Sequence, residues 1–340
     1  MSTADIETYR TVDYHTGGEP FRIVADGLPP LTGDTVADRR AFAIDDAQSQ
    51  RIRAILCSEP RGHADMYGGF ITPPDDDGAD LGVLFWHKDG FSTACGHGTI
   101  ALGVWAVDTG LVERLEDGET DVVIDVPSGR VRARVRFQAG EVADVTFVSV
   151  PSWVHARGVD VVTSRGPVTV DIAFGGAMYA VLAASDVGLE VRPQDVTGLI
   201  AVGREIRDAL NAAGAAQHPD DERLSGVYGT IFTGPGDSGD PLHQRNCTVF
   251  ADGEVDRSPC GSGTAARVAL LAASGKLADG QVLRHESVVG SVFLARVVDH
   301  GVDKGRAAVM AEVTGTAYRT GASEFTVDVR DPMTPGFVLR

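Results

Sequence analysis

Cysteine is scarce in this sequence, with four in 340 residues. That excludes a disulfide framework, and the lack of any C-x-x-C pair argues against a zinc site. Long apolar runs are also missing. Stretches such as Val268–Ala273 are far too short to span a bilayer, and the start, M-S-T-A-D-I-E-T-Y-R, has no signal core. A soluble cytoplasmic protein is the expectation. Positive charge is in deficit: 30 Lys and Arg face 48 Asp and Glu, a net charge of −18. The basic residues are scattered, so nucleic acid and anionic membranes are poor candidate partners. An anionic substrate must be held by local groups against an unfavourable global field. The P-loop, dinucleotide and H-E-x-x-H patterns are absent, so no cofactor and no metal is signalled.

What is present is a globular composition, 43% hydrophobic, and a length suited to two domains. Two stretches read almost alike: S-T-A-C-G-H-G-T-I-A-L-G from Ser92 and R-S-P-C-G-S-G-T-A-A-R-V from Arg257. Each carries C-G-x-G-T, with Cys95 and Cys260 about half the chain apart. Ten residues before each cysteine a strand-like run closes on Phe85 or Phe250, and fifteen after it stands Gly110 or Gly275. The mostly apolar segments between predict buried helices that stop at those glycines. Upstream, His15–Val24 and Ile172–Val181 each place Gly-Gly before a β-type run. Downstream, Val126–Phe137 and Val288–Val298 alternate as strands after a glycine. Each half also carries a predicted surface helix, near Val36–Leu56 and Val196–Ala213, and Gly234–Asp240 reads as a polar loop.

The pattern predicts a duplicated α+β unit, strands wrapped around one central helix, in two pseudo-symmetric domains. The expected units are residues 1–155, holding Cys95, and 156–325, holding Cys260, with the last fifteen or so residues returning to the first.

A cysteine before Gly-x-Gly-Thr and a helix lies at a helix N-terminus, where free N–H groups and the helix dipole favour thiolate. Its pKa is expected below the free value of about 8.5. Glycines let a ligand approach the backbone, and the N–H groups can hold a carboxylate. Two such elements facing each other across a domain cleft would put thiols on opposite faces of one carbon. One thiolate would remove a proton and the other thiol would deliver one, which is what stereoinversion requires. Cys57 and Cys247 sit beside apolar residues and read as buried structural thiols.

D-x-H-T-G-G-E-P near the start, A-C-G-H-G-T in the middle and D-R-S-P-C-G-S-G-T late resemble the proline racemase family, whose fold is shared with diaminopimelate epimerase. The resemblance runs along nearly the whole chain. It implies a cofactor-independent enzyme whose substrate is the small amino acid proline or a hydroxyproline, and leaves a homodimer open. It makes Cys95 and Cys260 the catalytic acid/base pair and carries substrate contact onto Gly96, His97, Asp256, Gly261 and Ser262, with Asp256 receiving the ring ammonium. His15 and Glu19, in the first motif, are expected to shape a loop.

One branch of that family dehydrates trans-3-hydroxy-L-proline and carries Thr in place of the second cysteine. Several stretches here look closest to it, among them E-P-R-G-H-A-D-M-Y-G (Glu59–Gly68) and Y-G-T-I (Tyr228–Ile231). Cys260 conflicts with that branch and favours inversion, with dehydration from Cys95 as base the alternative. Many 4-hydroxyproline epimerases carry a histidine near the position of Tyr228–Thr230, where this chain has none; that favours proline or a broad specificity, with Tyr228 or Thr230 as candidate replacements. A dithiol redox enzyme and an amino-acid-binding protein are the readings from other classes.

Overall fold

The computed structural model describes residues 6–339. The first half of the chain forms β1 (Ile6–Thr16), β2 (Glu19–Val24), α1 (Val36–Asp45), α2 (Ala47–Cys57), β3 (Gly68–Thr72), β4 (Leu81–His87), β5 (Gly90–Phe91), α3 (Gly96–Asp108), β6 (Gly118–Val126), β7 (Gly129–Gln138) and β8 (Glu141–Val148). The second forms β9 (Trp153–Thr163), β10 (Gly166–Phe174), β11 (Met178–Ala183), α4 (Val196–Ala212), β12 (Val227–Pro235), β13 (His243–Phe250), β14 (Glu254–Val255), α5 (Gly261–Ala273), β15 (Leu283–Ser287), β16 (Val292–Asp303), β17 (Arg306–Gly315) and β18 (Ala317–Asp328).

The duplication read from the sequence appears as matched strand pairing. β2 runs parallel to β3 as β11 does to β12. β4 lies between antiparallel β3 and parallel β6, as β13 lies between β12 and β15. β6–β7–β8 and β15–β16–β17 are antiparallel meanders. At the centre of each set sits one helix. From Gly96 to Val107 every residue of α3 is buried, as an apolar sequence without a polar face requires. At Gly103 an added Cβ would lie 3.0 Å from Ala133 and Val145 side chains; glycine there lets the strands close on the helix. Gly110 (φ 74°) and Gly275 (φ 67°) take the left-handed conformation that ends α3 and α5.

Two features differ from the sequence expectation. The helix expected over Val36–Leu56 is broken at Asp46, whose N–H bonds Phe42 O to close α1 and whose carboxylate accepts the Ser49 N–H to cap α2. The returning segment is also longer and starts earlier than the last fifteen residues. All of β18 pairs antiparallel with β1, from Ile6 opposite Asp328 to Thr16 opposite Ala317. It stands where β9 stands against β10 in the other half. A seam of β8 against β17 joins the halves.

β2 covers β1 only from Val12 to Thr16, so residues 6–11 depend on β18 alone. An uncovered edge of this kind promotes aggregation. A chain ending at Thr316 is therefore expected to give little soluble protein and no cooperative melt; a truncated chain that melts like the full one would show that β18 is dispensable.

Candidate active site

Cys95 is the N-cap of α3 and Cys260 the N-cap of α5. The Gly98 N–H donates to Cys95 Sγ at 3.1 Å and the Gly263 N–H to Cys260 Sγ at 3.4 Å. Cys95 has ordinary extended backbone (φ −154°), whereas Cys260 sits at φ 61°, ψ 106°. L side chains rarely adopt that conformation, which costs on the order of 1–3 kcal/mol and is retained where surrounding structure enforces it. Pro259 helps to do so: its carbonyl accepts bonds from Asn246 Nδ2 and Thr264 Oγ1.

The two helix ends meet at glycine. A Cβ built on Gly96 would lie 2.5 Å from the Cα of Gly261, and one built on Gly261 would lie 2.6 Å from the Cα of Gly96. The second glycine of each motif has a different task. A Cβ on Gly98 or Gly263 would lie 2.8 or 2.9 Å from the sulfur of its own cysteine. These positions need glycine because of close approach rather than positive φ. Bonds across the halves hold the seam: the Arg257 N–H donates to Glu19 Oε2 at 2.7 Å, and its guanidinium pairs with Asp65 at 2.9 Å.

Cys95, Gly96 and His97 from the first half and Asp256, Cys260, Gly261 and Ser262 from the second all line one cavity between the halves. The chain thus brings together the two cysteines and the five residues onto which the resemblance carried substrate contact. The rest of the wall is Ala94 and an aromatic set, Tyr67, Tyr179, Tyr228 and Phe250. Sequence reading left Tyr67, Tyr179 and Phe250 as strand or loop residues. The signal lay in the Gly-Gly runs and in the strands ending ten residues before the cysteines. The cavity is closed down to about 10 Å³, room for about one water.

Its hydrogen bonds differ on the two sides. His97 Nδ1 is 3.4 Å from Cys95 Sγ. Across from it, Tyr179 Oη lies 2.7 Å from Ser262 Oγ and 3.8 Å from Cys260 Sγ. Asp256 Oδ1 accepts the Ser258 N–H at 2.8 Å and its hydroxyl at 2.7 Å, while Oδ2 is 3.9 Å from His97 Nδ1.

Burial dominates the titration of these groups. It pushes Cys95 and Cys260 well above the ordinary thiol range, although the Gly98 and Gly263 N–H groups and, at Cys260, the Tyr179 hydroxyl act the other way. The expectation of lowered thiol pKa values is thus corrected: full burial outweighs the helix terminus. Burial also drives His97 down to about 3, so its imidazole is neutral, and lifts Asp256 to about 6 despite the two Ser258 bonds. Cys57 and Cys247 are buried away from the cavity and pushed up to about 12 by burial.

The loop residues also find their places. His15 Nδ1 accepts the Gly18 N–H at 3.2 Å. Glu19 is fully buried behind Asp256, and desolvation and the Asp256 charge raise its pKa. Of the two candidate replacements for a histidine, Tyr228 faces the cavity, whereas the Thr230 hydroxyl donates to Gly203 O on α4 at 3.0 Å, away from it.

A sequence model described as proline racemase matches residues 11–338. The chain belongs to the proline racemase family. It is 48% identical over 332 residues, 97% of this chain and 98% of the relative, to a 3-hydroxyproline 2-epimerase from Burkholderia multivorans. It is 47% identical over 335 residues, at the same coverage, to a trans-3-hydroxy-L-proline dehydratase from Burkholderia cenocepacia. Among solved structures, a hydroxyproline epimerase from Agrobacterium vitis with bound trans-4-hydroxy-L-proline superposes with a TM-score of 0.91 at 30% identity, covering 98% of this chain and 96% of that one. A probable proline racemase from Agrobacterium radiobacter K84 with bound carbonate gives 0.92 at 30% identity, covering 97% and 96%. The enzymes of this family to which the chain is similar are racemases, epimerases or dehydratases, and the α+β architecture is theirs.

The raised thiol pKa values set a measurable state for this family member. Burial favours the neutral thiol, so both cysteines are expected to stay protonated at neutral pH without substrate. Ultraviolet thiolate absorbance should appear only above the free-thiol value of about 8.5. A thiolate band at neutral pH that vanishes in the Cys95→Ser variant would contradict this.

Proposed function

We propose that the chain is a cofactor-independent 2-epimerase that inverts Cα of hydroxyproline through Cys95 and Cys260, with 3-hydroxyproline its preferred substrate. The single observation that carries this reading is that both thiols, each capping one of two abutting helices, line the same closed cavity. The similarity of the background sequence to enzymes named for 3-hydroxyproline supports the choice of substrate.

In this scheme the substrate carboxylate lies against the first-turn N–H groups of α3 and α5, which have no acceptor inside their helices. The ring ammonium faces Asp256. The incoming charges compensate the burial that keeps the pair neutral, and one thiol loses its proton to water before the site closes. That thiolate takes the Cα proton from one face. The electron pair left on Cα spreads into the carboxylate, where the helix termini stabilise it. The opposing thiol then protonates Cα from the other face. Trans-3-hydroxy-L-proline thereby becomes cis-3-hydroxy-D-proline, since C3 is untouched; exchanging the two thiols' roles runs the reverse reaction. A five-membered ring exceeds the closed cavity, so the halves must part to admit it and close to exclude water.

Dehydration is the second reading, favoured by the names of several relatives near 47% identity. Incubation with trans-3-hydroxy-L-proline, trans-4-hydroxy-L-proline and L-proline in D₂O, followed by chiral chromatography, separates the readings. The expected result is deuterium at Cα with formation of the C2 epimer, fastest for the 3-hydroxy substrate. Loss of hydroxyl with an imine product would instead establish dehydration, and an unchanged substrate panel would overturn both.

Cys95→Ser and Cys260→Ser are each expected to abolish inversion, because a serine hydroxyl is too weak an acid or base; full inversion by either variant would refute the two-thiol scheme. Cys260→Thr is expected to lose inversion and gain dehydration of trans-3-hydroxy-L-proline, and product analysis showing neither activity would count against it. The pH profile has a stated sign. Asp256 must be ionised to take the ammonium, so kcat/KM should fall as pH drops through about 6, and Asp256→Asn should remove that limb along with most of the activity.

A further inference from the structure

A half-buried arginine near the cavity makes no salt bridge among the described residues. Arg40, on α1, donates from Nε to Phe91 O at 2.8 Å and from Nη1 to Arg223 O at 3.3 Å. Among the described residues no carboxylate pairs with it, although the chain has 48 acidic side chains. The other two arginines nearby are satisfied: Arg207 pairs with Asp208 at 2.8 Å, and Arg223 pairs with Asp221 at 2.8 Å and Asp38 at 2.7 Å. Burial pulls the Arg40 guanidinium below the ordinary arginine range; Tyr228 and Tyr67 are its strongest titratable neighbours, and the weaker influences of the Arg223 and Asp221 charges oppose each other. An arginine that keeps its charge here without a carboxylate is poised to gain from an anion.

Arg40 faces a cleft of about 390 Å³ walled by both halves, with Ser92 on one side and Met178, Asn211 and Leu224 on the other. Tyr228 lines both this cleft and the closed cavity. Its hydroxyl is 3.2 Å from that of Tyr67, which in turn is 2.5 Å from Ser92 Oγ. Between cleft and cavity there is thus a thin hydrogen-bonded partition of side chains. The cleft has the volume for a proline-sized amino acid, which the cavity in its closed state lacks.

We infer that this cleft is the vestibule of the catalytic cavity, and that Arg40 receives the substrate carboxylate there before the Tyr67–Tyr228 partition parts. The inference rests on the reading of the cavity as catalytic. It also answers how a chain of net charge −18 attracts a carboxylate: a fixed fork of positive charge at the mouth raises the local encounter rate, and the helix termini take over inside.

The test compares full-length wild type, Arg40→Gln and Arg40→Lys with trans-3-hydroxy-L-proline. Arg40→Gln is expected to lower kcat/KM about tenfold, the low end of electrostatic effects on encounter, with kcat at saturating substrate within about twofold of wild type. Arg40→Lys should restore most of the loss. Leu224→Trp, which narrows the cleft while leaving the Arg40 guanidinium in the chain, should reproduce the kcat/KM defect, and it decides the matter if Arg40→Gln does not fold. An unchanged kcat/KM in both Arg40→Gln and Leu224→Trp overturns the vestibule. So does a proportional fall in kcat that Lys fails to rescue, because Arg40 would then act only by holding Phe91 O and the segment leading to Cys95. If the wild type itself exchanges no Cα proton and loses no hydroxyl, the catalytic reading fails; if it turns over and the variants match it, only the vestibule fails.

Discussion

Two helix N-termini are pressed together at glycine, and the rest of the site depends on that contact. Gly96 and Gly261 touch backbone to backbone, a distance no pair of side-chain-bearing residues permits. Each terminus carries roughly half a positive charge, so facing them is electrostatically unfavourable on its own. The apolar burial of α3 and α5 along their length and the cross-half bonds of Glu19 and Asp65 to Arg257 hold them there. What results is a small positive focus inside a strongly acidic chain. The local sign is set by backbone, which the net charge does not report.

The same enclosure decides the state of the thiols. A helix terminus contributes at most about 2 kcal/mol in a partly buried geometry, whereas complete burial shifts a group by several pKa units. Both sulfurs are buried, and the larger effect prevails. On the proposed reading this is useful. A thiolate standing free in the resting enzyme would be open to oxidation, while a neutral pair ionises only when a zwitterion supplies the opposite charges. Cys260 adds backbone strain to this arrangement at its φ of 61°. Such strain persists where the surrounding chain fixes it, here through Asn246 and Thr264 on the Pro259 carbonyl.

Much of this was legible in the sequence, because a duplicated motif is a strong periodic signal. The C-G-x-G-T pair, the phenylalanines before it and the glycines after it marked the two helices to within a residue or two. What escaped were features set by long-range partners. The return of the chain's end to the first half is expected from the sequence, but no local pattern gives its extent, which follows from β1 needing a second neighbour along its whole length. The break at Asp46 was readable as a capping residue inside a long polar-apolar run, but the apolar spacing on either side hid it. Tyr67 and Tyr179 read as strand or loop residues, and only the assembled fold puts both in the cavity wall. The sign of the thiol shift failed for the same reason, since burial is a property of the assembled fold.

The duplication is geometrically close but chemically unequal, and that bears on which reaction the cavity runs. Where one motif has His97, the other has Ser262. Cys95 is flanked by a neutral imidazole and Cys260 by a Ser–Tyr hydroxyl pair. A racemase of mirror-image substrates has no need of this difference. A 3-hydroxyproline has a second stereocentre, so its two epimers are unequal in shape and energy, and unequal walls suit them. The carbanion formed from such a substrate has two exits: protonation at Cα from the far face, or loss of the neighbouring hydroxyl. The first exit requires an acid on the far face. Relatives of nearly equal identity can therefore be named for epimerisation and for dehydration without any change of fold. On the proposed reading, the group on the far face in this chain is the Cys260 thiol, held against the cavity by the backbone that strains it.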